Sequence, residues 1–524
     1  MRIRRLVVLS VFLPLLAAGQ SGPGRRWWRT VQFLAGDKLE GRAPGSDGYR
    51  KAAEYVAAAY KQDGLKPGGA SGYFQPVRFR VRRIVEEQSS LALTRGSVQE
   101  ILRLGDDAGF SLRVDPAGNL QAQMVFAGYG LTVPELDYDD LAGLDLKGKV
   151  VLFLSGGPPS IPGPLRAHYQ SSSERWRFLR RAGAVGTAVI PNPKSMDIPW
   201  ERAKLARLRP SMSLMDEKLD PTPGQRLSLV INPDRADKFL EGTNHTMAEI
   251  LALADAGKPL PRFPLSASLY AGAAVDRSET ESVNVIGILE GSDPKLKDEY
   301  VVVSAHLDHL GAGRPVNGDS IYNGAMDNAS GVASLLEVAA SLRGARPKRS
   351  VLFLALTAEE NGLLGSKYFT AYPTVKAAQM AAGINLDMFL PLHSLRILNA
   401  YGLEESTLGP QLRKVAARYG VRIQGDPEPE RNLFIRSDQY NFIRLGVPAL
   451  AFKFGFRTGS PEERIQKKWL KERYHAPSDD ADQPVNLAGA ARFNRLIAAL
   501  VGQLAGSTER PRWNANSFFR RYAR

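Results

Sequence analysis

Two stretches, YVVVSAH at residues 300–306 and SVLFLALT at residues 350–357, decide the fold of the second half of the chain. Both are short, continuous apolar runs, which is typical of strands that are buried on both faces of a sheet. Between them, SGVASLLEVAASLRG at residues 330–344 repeats its apolar residues at a helical period. A strand, a helix and a second strand in this order predict a parallel βαβ unit.

The same alternation continues from residue 282 towards the carboxyl terminus. Four more buried-type strands are predicted, namely VNVIGIL (283–289), AGINLDM (382–388), LRILNA (395–400) and PALAFKF (448–454). Two further helices are predicted from TLGPQLRKVAARYG (407–420) and LAGAARFNRLIAALVGQLAG (487–506). The pattern therefore predicts the α/β class, with a mixed, mostly parallel sheet that is flanked by helices.

A chain of 524 residues is too long for one ordinary core, so we expect more than one structural unit. Between residues 121 and 275, short apolar runs such as MVFAGYGL (124–131) are interrupted by Gly and Pro, which predicts a small β-rich domain. In chain order, we expect a signal peptide at 1–19, an amino-terminal part with connecting strands at 20–120, an inserted domain at 121–275, a catalytic domain at 276–505 and a basic tail at 506–524.

The first residues have the features of a signal peptide. MRIRR is a basic segment, and the apolar run that follows it contains Pro14 and ends in small residues before Gln20. The sequence contains no cysteine, so neither disulfides nor a lipidated cysteine is expected. We therefore expect an exported protein, periplasmic or secreted, with no membrane span once the signal is cleaved.

The formal net charge of +15 comes from basic residues that are scattered along the chain. No basic stripe interleaved with aromatic residues is present, so a nucleic acid is not an expected partner. The sequence gives no indication of the oligomeric state.

Polar residues follow three of the predicted strands. His306 and Asp308 follow the first, Glu359 and Glu360 the second, and Asp387 lies after GINL. Because sites in open α/β sheets form beyond the carboxyl ends of the strands, we expect these side chains to converge. Residues i and i+2 of an extended segment face the same way, so Asp308 can hold the imidazole of His306 while that imidazole binds a metal.

Two more segments supply candidate ligands. Asp327 lies in GAMDNASG (324–331), directly before a helix, and Tyr474 and His475 lie in the polar segment YHAPSD (474–479). Carboxylate and imidazole ligands without cysteine suit Zn²⁺ with open positions, or Mn²⁺ and Co²⁺. His309 should face away from the cluster, so packing or support of a ligand is expected for it.

In this order, the motifs H-x-D, G-A-x-D-N-x-S-G, A-E-E-x-G-L-L-G-S, N-L-D-M and Y-H-x-x-x-D resemble the co-catalytic zinc aminopeptidases of the M28 peptidase family. Earlier in the chain, LEGRAPGSDG followed by GLKPGG is similar to the amino-terminal part of bacterial members. The region 121–275 is similar to a protease-associated domain inserted in the peptidase domain. The resemblance covers nearly the whole chain after the predicted signal peptide.

The resemblance implies two zinc ions per chain and a water-activating glutamate. It also implies a cis peptide bond between Asp327 and Asn328, and an Asp327 carboxylate that bridges the two ions. The implied ligands are His306, Asp327, Glu360, Asp387 and His475; the implied catalytic residues are Glu359 as general base, Asp308 as the residue that orients the first histidine, and Tyr474 as a group that polarises the substrate carbonyl.

The function that the sequence favours is that of an exported zinc aminopeptidase, with peptides as substrates. Three alternatives stay open at this point. The same fold serves glutaminyl-cyclase-like acyl transferases, which use one zinc, and carboxypeptidases that also have a protease-associated domain. A non-enzymatic receptor or binding module is the third, although such a protein should have lost ligands and none is missing here.

Overall fold

The computed structural model describes residues 22–523. The predicted signal peptide at residues 1–19 lies outside the described residues. Among the helices that are described, none combines the length and the apolar character needed to cross a membrane.

The strands of the described chain are β1 (Lys66–Pro67), β2 (Phe74–Ile84), β3 (Ser90–Arg95), β4 (Val98–Leu102), β5 (Ala108–Phe110), β6 (Asn119–Ala127), β7 (Thr132–Val133), β8 (Tyr138–Asp139), β9 (Val150–Leu154), β10 (Gly186–Ile190), β11 (Ser211–Leu214), β12 (Ser228–Ile231), β13 (Arg262–Gly272), β14 (Val275–Leu289), β15 (Tyr300–His306), β16 (Gly311–Val316), β17 (Asp319–Tyr322), β18 (Ser350–Leu356), β19 (Met380–Asn385), β20 (Ile397–Tyr401), β21 (Arg422–Gln424) and β22 (Ala449–Phe454). The α-helices are α1 (Pro23–Leu34), α2 (Asp47–Gln62), α3 (Gly163–Gln170), α4 (Ser172–Arg181), α5 (Trp200–Ala203), α6 (Asp237–Leu240), α7 (Met247–Asp255), α8 (Ser330–Ser341), α9 (Leu364–Ala371), α10 (Leu408–Arg418), α11 (Gln439–Arg444), α12 (Pro461–Glu472) and α13 (Leu487–Gly506).

The larger of the two main sheets is mixed, and its parallel part lies at its centre. Within the described residues its strand order is β11-β2-β14-β18-β15-β19-β22-β20-β21, and β1 pairs with β14. Strand β15 runs parallel to both β18 and β19, and β19 runs parallel to β22. Strands β14 and β20 flank this centre in the antiparallel direction. The carboxyl ends of β15, β18 and β19 therefore meet at one edge of the sheet.

Helices cover both faces of the large sheet because its central strands are apolar on both faces. On β15, Val301 and Val303 pack in one core, while Val302 packs in the core on the opposite face, as the alternation of a strand requires. Helices α1, α2, α8, α10 and α13 contribute to the first core, and α9 and α11 contribute to the second. The predicted α/β fold, with a mixed sheet flanked by helices, is confirmed.

A second sheet has its own hydrophobic core. Its order within the described residues is β4-β3-β13-β6-β9-β10-β12-β5, and helices α6 and α7 pack against it. The sheet takes its first strand at residue 90, and the chain between β10 and β12 leaves it so that β11 can pair with β2 of the large sheet. The identification of residues 121–275 as a protease-associated domain stays a prediction.

Arg42 connects the amino-terminal segment to the edge where the central strands end. Its side chain is fully buried, and its backbone has a left-handed φ of 50°. The guanidinium donates to the carbonyl of Leu34 and, at 2.9 Å, to that of Leu307, directly after β15. It also donates to the carbonyls of Asn323 and Gly324, at 2.8 and 3.0 Å, shortly before α8. One side chain thus joins three segments that are remote in sequence.

We expect Arg42→Met to destabilise the fold by about 3 kcal/mol or more, because it leaves several buried carbonyls without a donor. The free energy of unfolding, measured by urea denaturation, checks this. The matched control is Arg29→Met on the exposed side of α1, which should change stability by less than about 0.5 kcal/mol. Equal unfolding midpoints for the two variants would contradict the structural role of Arg42.

Candidate metal centre

Three of the predicted site segments follow directly from neighbouring parallel strands. His306 is the last residue of β15, Glu359 and Glu360 follow β18 by a few residues, and Asp387 lies two residues after β19. The register pairs His306 with Leu356 on β18 and Ser304 with Asn385 on β19. The convergence that the strand pattern predicted is therefore present.

The other two segments approach the same place from loops. Asp327 lies just before α8, and its peptide bond to Asn328 is cis, as predicted. The backbone amides of Met326 and Asp327 donate to the buried carboxylate of Asp479, at 2.9 and 3.0 Å. His475 follows α12 with a left-handed φ of 53°.

The five predicted ligands form two groups that share one carboxylate. His306 Nε2 lies 3.3 Å from Asp327 Oδ1 and 3.3 Å from Asp387 Oδ1. His475 Nε2 lies 3.2 Å from Asp327 Oδ2 and 3.2 Å from Glu360 Oε2. Each oxygen of the Asp327 carboxylate thus faces a different histidine, and all five side chains are brought together.

Asp308 acts through its backbone and its side chain separately. His306 Nδ1 lies 3.2 Å from the backbone carbonyl of Asp308 but 3.8 Å from its carboxylate, so the carbonyl is the acceptor for an Nδ1 proton. That leaves Nε2 of His306 to face Asp327. The Asp308 carboxylate instead accepts from the amides of Glu359 and Glu360, at 3.1 and 3.3 Å. The carbonyl of Asp308 therefore holds the histidine ring, and its carboxylate holds the glutamate loop rather than the ring.

The two adjacent glutamates differ in their surroundings. Glu359 lies with His306 and Asp387, with one oxygen or nitrogen of each side chain within 4.8 Å of the others. Burial raises the pKa of Glu359 well above its usual range. Burial would also raise the pKa of Glu360, but the charge of His475 and a hydrogen bond from His309 hold that pKa well below its usual range.

His309 supports a predicted ligand, as expected, but its side chain faces the cluster rather than away from it. It is buried, and its Nδ1 lies 2.8 Å from Glu360 Oε1, so it supports a predicted ligand directly. Its carboxylate neighbours also include Asp327, whose Oδ2 lies 3.9 Å from Nδ1. The alternation rule that placed His309 on the far side ends with β15 at His306, and nothing local in the sequence signals where the chain turns.

Tyr474 lies beside His475, with 4.0 Å between the ring centroids. Its hydroxyl accepts a hydrogen bond from Arg436 at 3.3 Å, and burial raises the pKa of Tyr474 well above its usual range. Arg436 and Arg431 both bind Asp197, at 2.6 and 2.7 Å. Asp197 lies between β10 and β11, in the chain segment that leaves the second sheet. This contact across the two units was not predicted.

A cleft opens over the two groups, and Asp197, Tyr474 and Lys453 line it together with the predicted ligands Asp327, Glu360, Asp387 and His475. The donor set of imidazoles and carboxylates fits zinc, which takes nitrogen and oxygen ligands. Four carboxylates lie close together here, buried or half-buried, and they belong to Asp327, Glu359, Glu360 and Asp387. Their negative charges require compensating positive charge, which two divalent cations would supply.

Comparison with known proteins finds a family match in the second half of the chain. Residues 284–501 match the sequence profile of Peptidase family M28. A probable leucine aminopeptidase 2 from Aspergillus fumigatus is 30% identical over 257 residues, which are 47% of this chain and 48% of the relative. A probable zinc metalloprotease from Pyrenophora teres f. teres is 36% identical over 104 residues, which are 20% of this chain and 22% of the relative. The chain thus spans about half the length of the Aspergillus relative.

The fold is shared with a solved structure, the aminopeptidase from Aneurinibacillus sp. strain AM-1. The two chains are 20% identical, with a TM-score of 0.55 over 93% of this chain and 95% of the other. All eight predicted site residues fall within the range that matches the family profile. The similarity to peptidase family M28 therefore extends over residues 284–501 of the α/β region.

Proposed function

We propose that this protein is a two-zinc aminopeptidase that hydrolyses the amino-terminal peptide bond of peptides. The observation that carries the proposal is the Asp327 carboxylate, which turns one oxygen to His306 and the other to His475. A carboxylate that lies between two imidazole groups suits a pair of metal ions, because each of its oxygens can bind a different ion.

The proposed ligand sets agree with the same distances. His306, Asp387 and Asp327 Oδ1 would hold one ion, and His475, Glu360 and Asp327 Oδ2 would hold the other. When bound, the two ions would polarise the scissile carbonyl and lower the pKa of a water molecule. The zinc assignment is supported by the donor set and by the similarity to a relative named as a zinc metalloprotease.

Glu359 is the general base of the proposal. It lies next to the His306 and Asp387 group, and its loop is held in place by the Asp308 carboxylate. Burial raises the pKa of Glu359, so the carboxylate accepts a proton more readily. This property suits a group that takes the proton of the attacking water and passes it to the leaving amine.

Tyr474 supplies a hydrogen bond to the substrate. Because Arg436 donates to the Tyr474 oxygen, the hydroxyl proton of Tyr474 is free to point elsewhere. From its position beside His475, it would donate to the oxygen of the scissile carbonyl as negative charge develops there.

Export and the role of the second unit are parts of the same proposal. The basic and apolar segments at residues 1–19, and the absence of cysteine from the sequence, support export to the periplasm or the medium. We assign residues 121–275 to a protease-associated domain that limits the length of the peptides entering the cleft. The presence of Asp197 in the cleft wall supports this role.

Metal analysis tests the number of ions. Protein prepared without chelator should contain about two divalent ions per chain, because one carboxylate serves two histidines. His306→Ala and His475→Ala should each lose about one of them, since each removes a ligand from a different group. Full peptidase activity with one tightly held ion would refute the two-metal model, whereas one ion per chain without peptide hydrolysis would favour the acyl-transferase alternative.

Acetylation of the substrate's amino terminus tests which end of the peptide is recognised. An aminopeptidase should lose all measurable cleavage of the acetylated peptide, and a carboxyl-terminal amide of the same peptide serves as the control that should still be cleaved. Cleavage followed by mass spectrometry checks both. The opposite pattern would identify a carboxypeptidase, and cleavage of neither peptide by metal-loaded protein would favour a binding module.

The glutamate pair is tested by two matched variants. Glu359→Gln keeps the shape of the side chain but removes the base, so kcat should fall about 10²–10⁴-fold, with KM and metal content near wild type. Glu360→Gln weakens a metal ligand, so it should lose one ion, and added zinc should restore part of the activity. If the phenotypes are exchanged, the roles of the two residues are reversed.

A further inference from the structure

One basic residue in the cleft plays no part in the proposed metal chemistry. Lys453 lies on β22, where Ala451 is in register with Asn385 on β19. Lys453 is two residues beyond Ala451, just as Asp387 is two residues beyond Asn385, so both reach the same edge of the sheet. The cleft lining accordingly includes Lys453, Ala451 and Asp387.

The Lys453 ammonium has no fixed partner. Among residues 22–523, no group forms a hydrogen bond or an ion pair with this ammonium. Charged side chains such as Asp387 and Arg431 act on it only at longer range. Its side chain is half-buried beside Tyr401, Phe452 and Leu433, which also line the cleft. Burial lowers the pKa of Lys453 to about 8, and a carboxylate bound beside the ammonium would favour its charged form. A charge held in such a place without a partner is costly unless a ligand of opposite charge relieves it.

The other charges of this wall balance one another. Arg431 binds Asp197 at 2.7 Å and Glu428 at 2.8 Å, and Arg436 binds Asp197 at 2.6 Å. Two arginines and two carboxylates leave no net charge there. Two divalent cations would likewise balance the negative charges of the carboxylates in the two ligand sets. The charge of Lys453 is then not balanced by the neighbouring side chains of this wall, and it can interact with a substrate.

We propose that Lys453 binds a carboxylate of the substrate and so determines specificity within the proposed aminopeptidase reaction, on which this inference rests. Two sources supply that chemistry. One is the side chain of an aspartate or glutamate at the amino terminus of the substrate, and the other is the terminal carboxylate of a very short peptide.

Four substrates separate these sources: leucine amide, glutamic acid amide (the α-amide), the dipeptide Leu-Ala, and Leu-Ala amide. If Lys453 binds the side chain, Lys453→Met should lower kcat/KM for the glutamic acid amide by about ten- to a hundredfold, and leave leucine amide within about twofold. If it binds the terminal carboxylate, the loss should fall on Leu-Ala and spare Leu-Ala amide. Lys453→Arg, which keeps the charge, should retain most of the preference.

The matched control is Lys468→Met on the exposed face of α12, which should leave all four rates near wild type. An equal loss on every substrate in Lys453→Met would show a structural role and overturn the inference. No change on any substrate would also overturn it.

A binding measurement keeps this inference separate from the proposed function. Calorimetric titration of the metal-loaded protein with glutarate should show about tenfold weaker binding to Lys453→Met than to wild type and to Lys468→Met. Equal affinities would refute the role of Lys453 even in an active aminopeptidase. Weaker binding in Lys453→Met, with no hydrolysis of any substrate by wild type, would keep this carboxylate site and refute the aminopeptidase proposal.

Discussion

Repulsion among carboxylates is the constraint on which the rest of the site depends. Asp327, Glu359, Glu360 and Asp387 converge at the ends of the central strands, where burial strengthens every charge interaction. The fold compensates with three histidines, with backbone amides and with Arg42. Although burial lowers the pKa of Arg42 to about 10, attraction to Asp308, Asp479, Asp327 and Glu360 opposes that change. These groups balance part of the negative charge, and the two proposed metal ions would balance the rest.

The sequence was sufficient for the parts of the site that belong to the sheet. Apolar runs located β15, β18 and β19, and the rule for parallel strands then predicted that His306, Glu360 and Asp387 would meet. Asp327 and His475 could be assigned only through their resemblance to a family motif. They lie on irregular segments, one with a cis peptide bond and the other with a left-handed residue, and such segments have no periodicity to interpret.

Long-range contacts between side chains and the backbone could not be predicted from the sequence. Asp308 accepts hydrogen bonds from amides 51 and 52 residues away, and Arg42 donates to carbonyls more than 260 residues away. Neither contact changes local periodicity or composition. The position of His309 has the same origin, because its direction is fixed where β15 has already ended and tertiary packing sets the path of the chain.

Asp197, on the segment that leaves the second sheet between β10 and β11, contacts residues of the cleft. Asp197 is nine-tenths buried and binds two arginines, one of which donates to Tyr474. Loss of the carboxylate would leave the largely buried Arg431 and the more exposed Arg436 with less compensating charge, and it would remove the ion pair that holds Arg436 beside the Tyr474 hydroxyl. The chain between β10 and β12 also adds β11 to the large sheet, so the segment that carries Asp197 is anchored there. The second unit therefore contributes a wall of the cleft, and its packing helps to set the position of a side chain proposed to contact substrate.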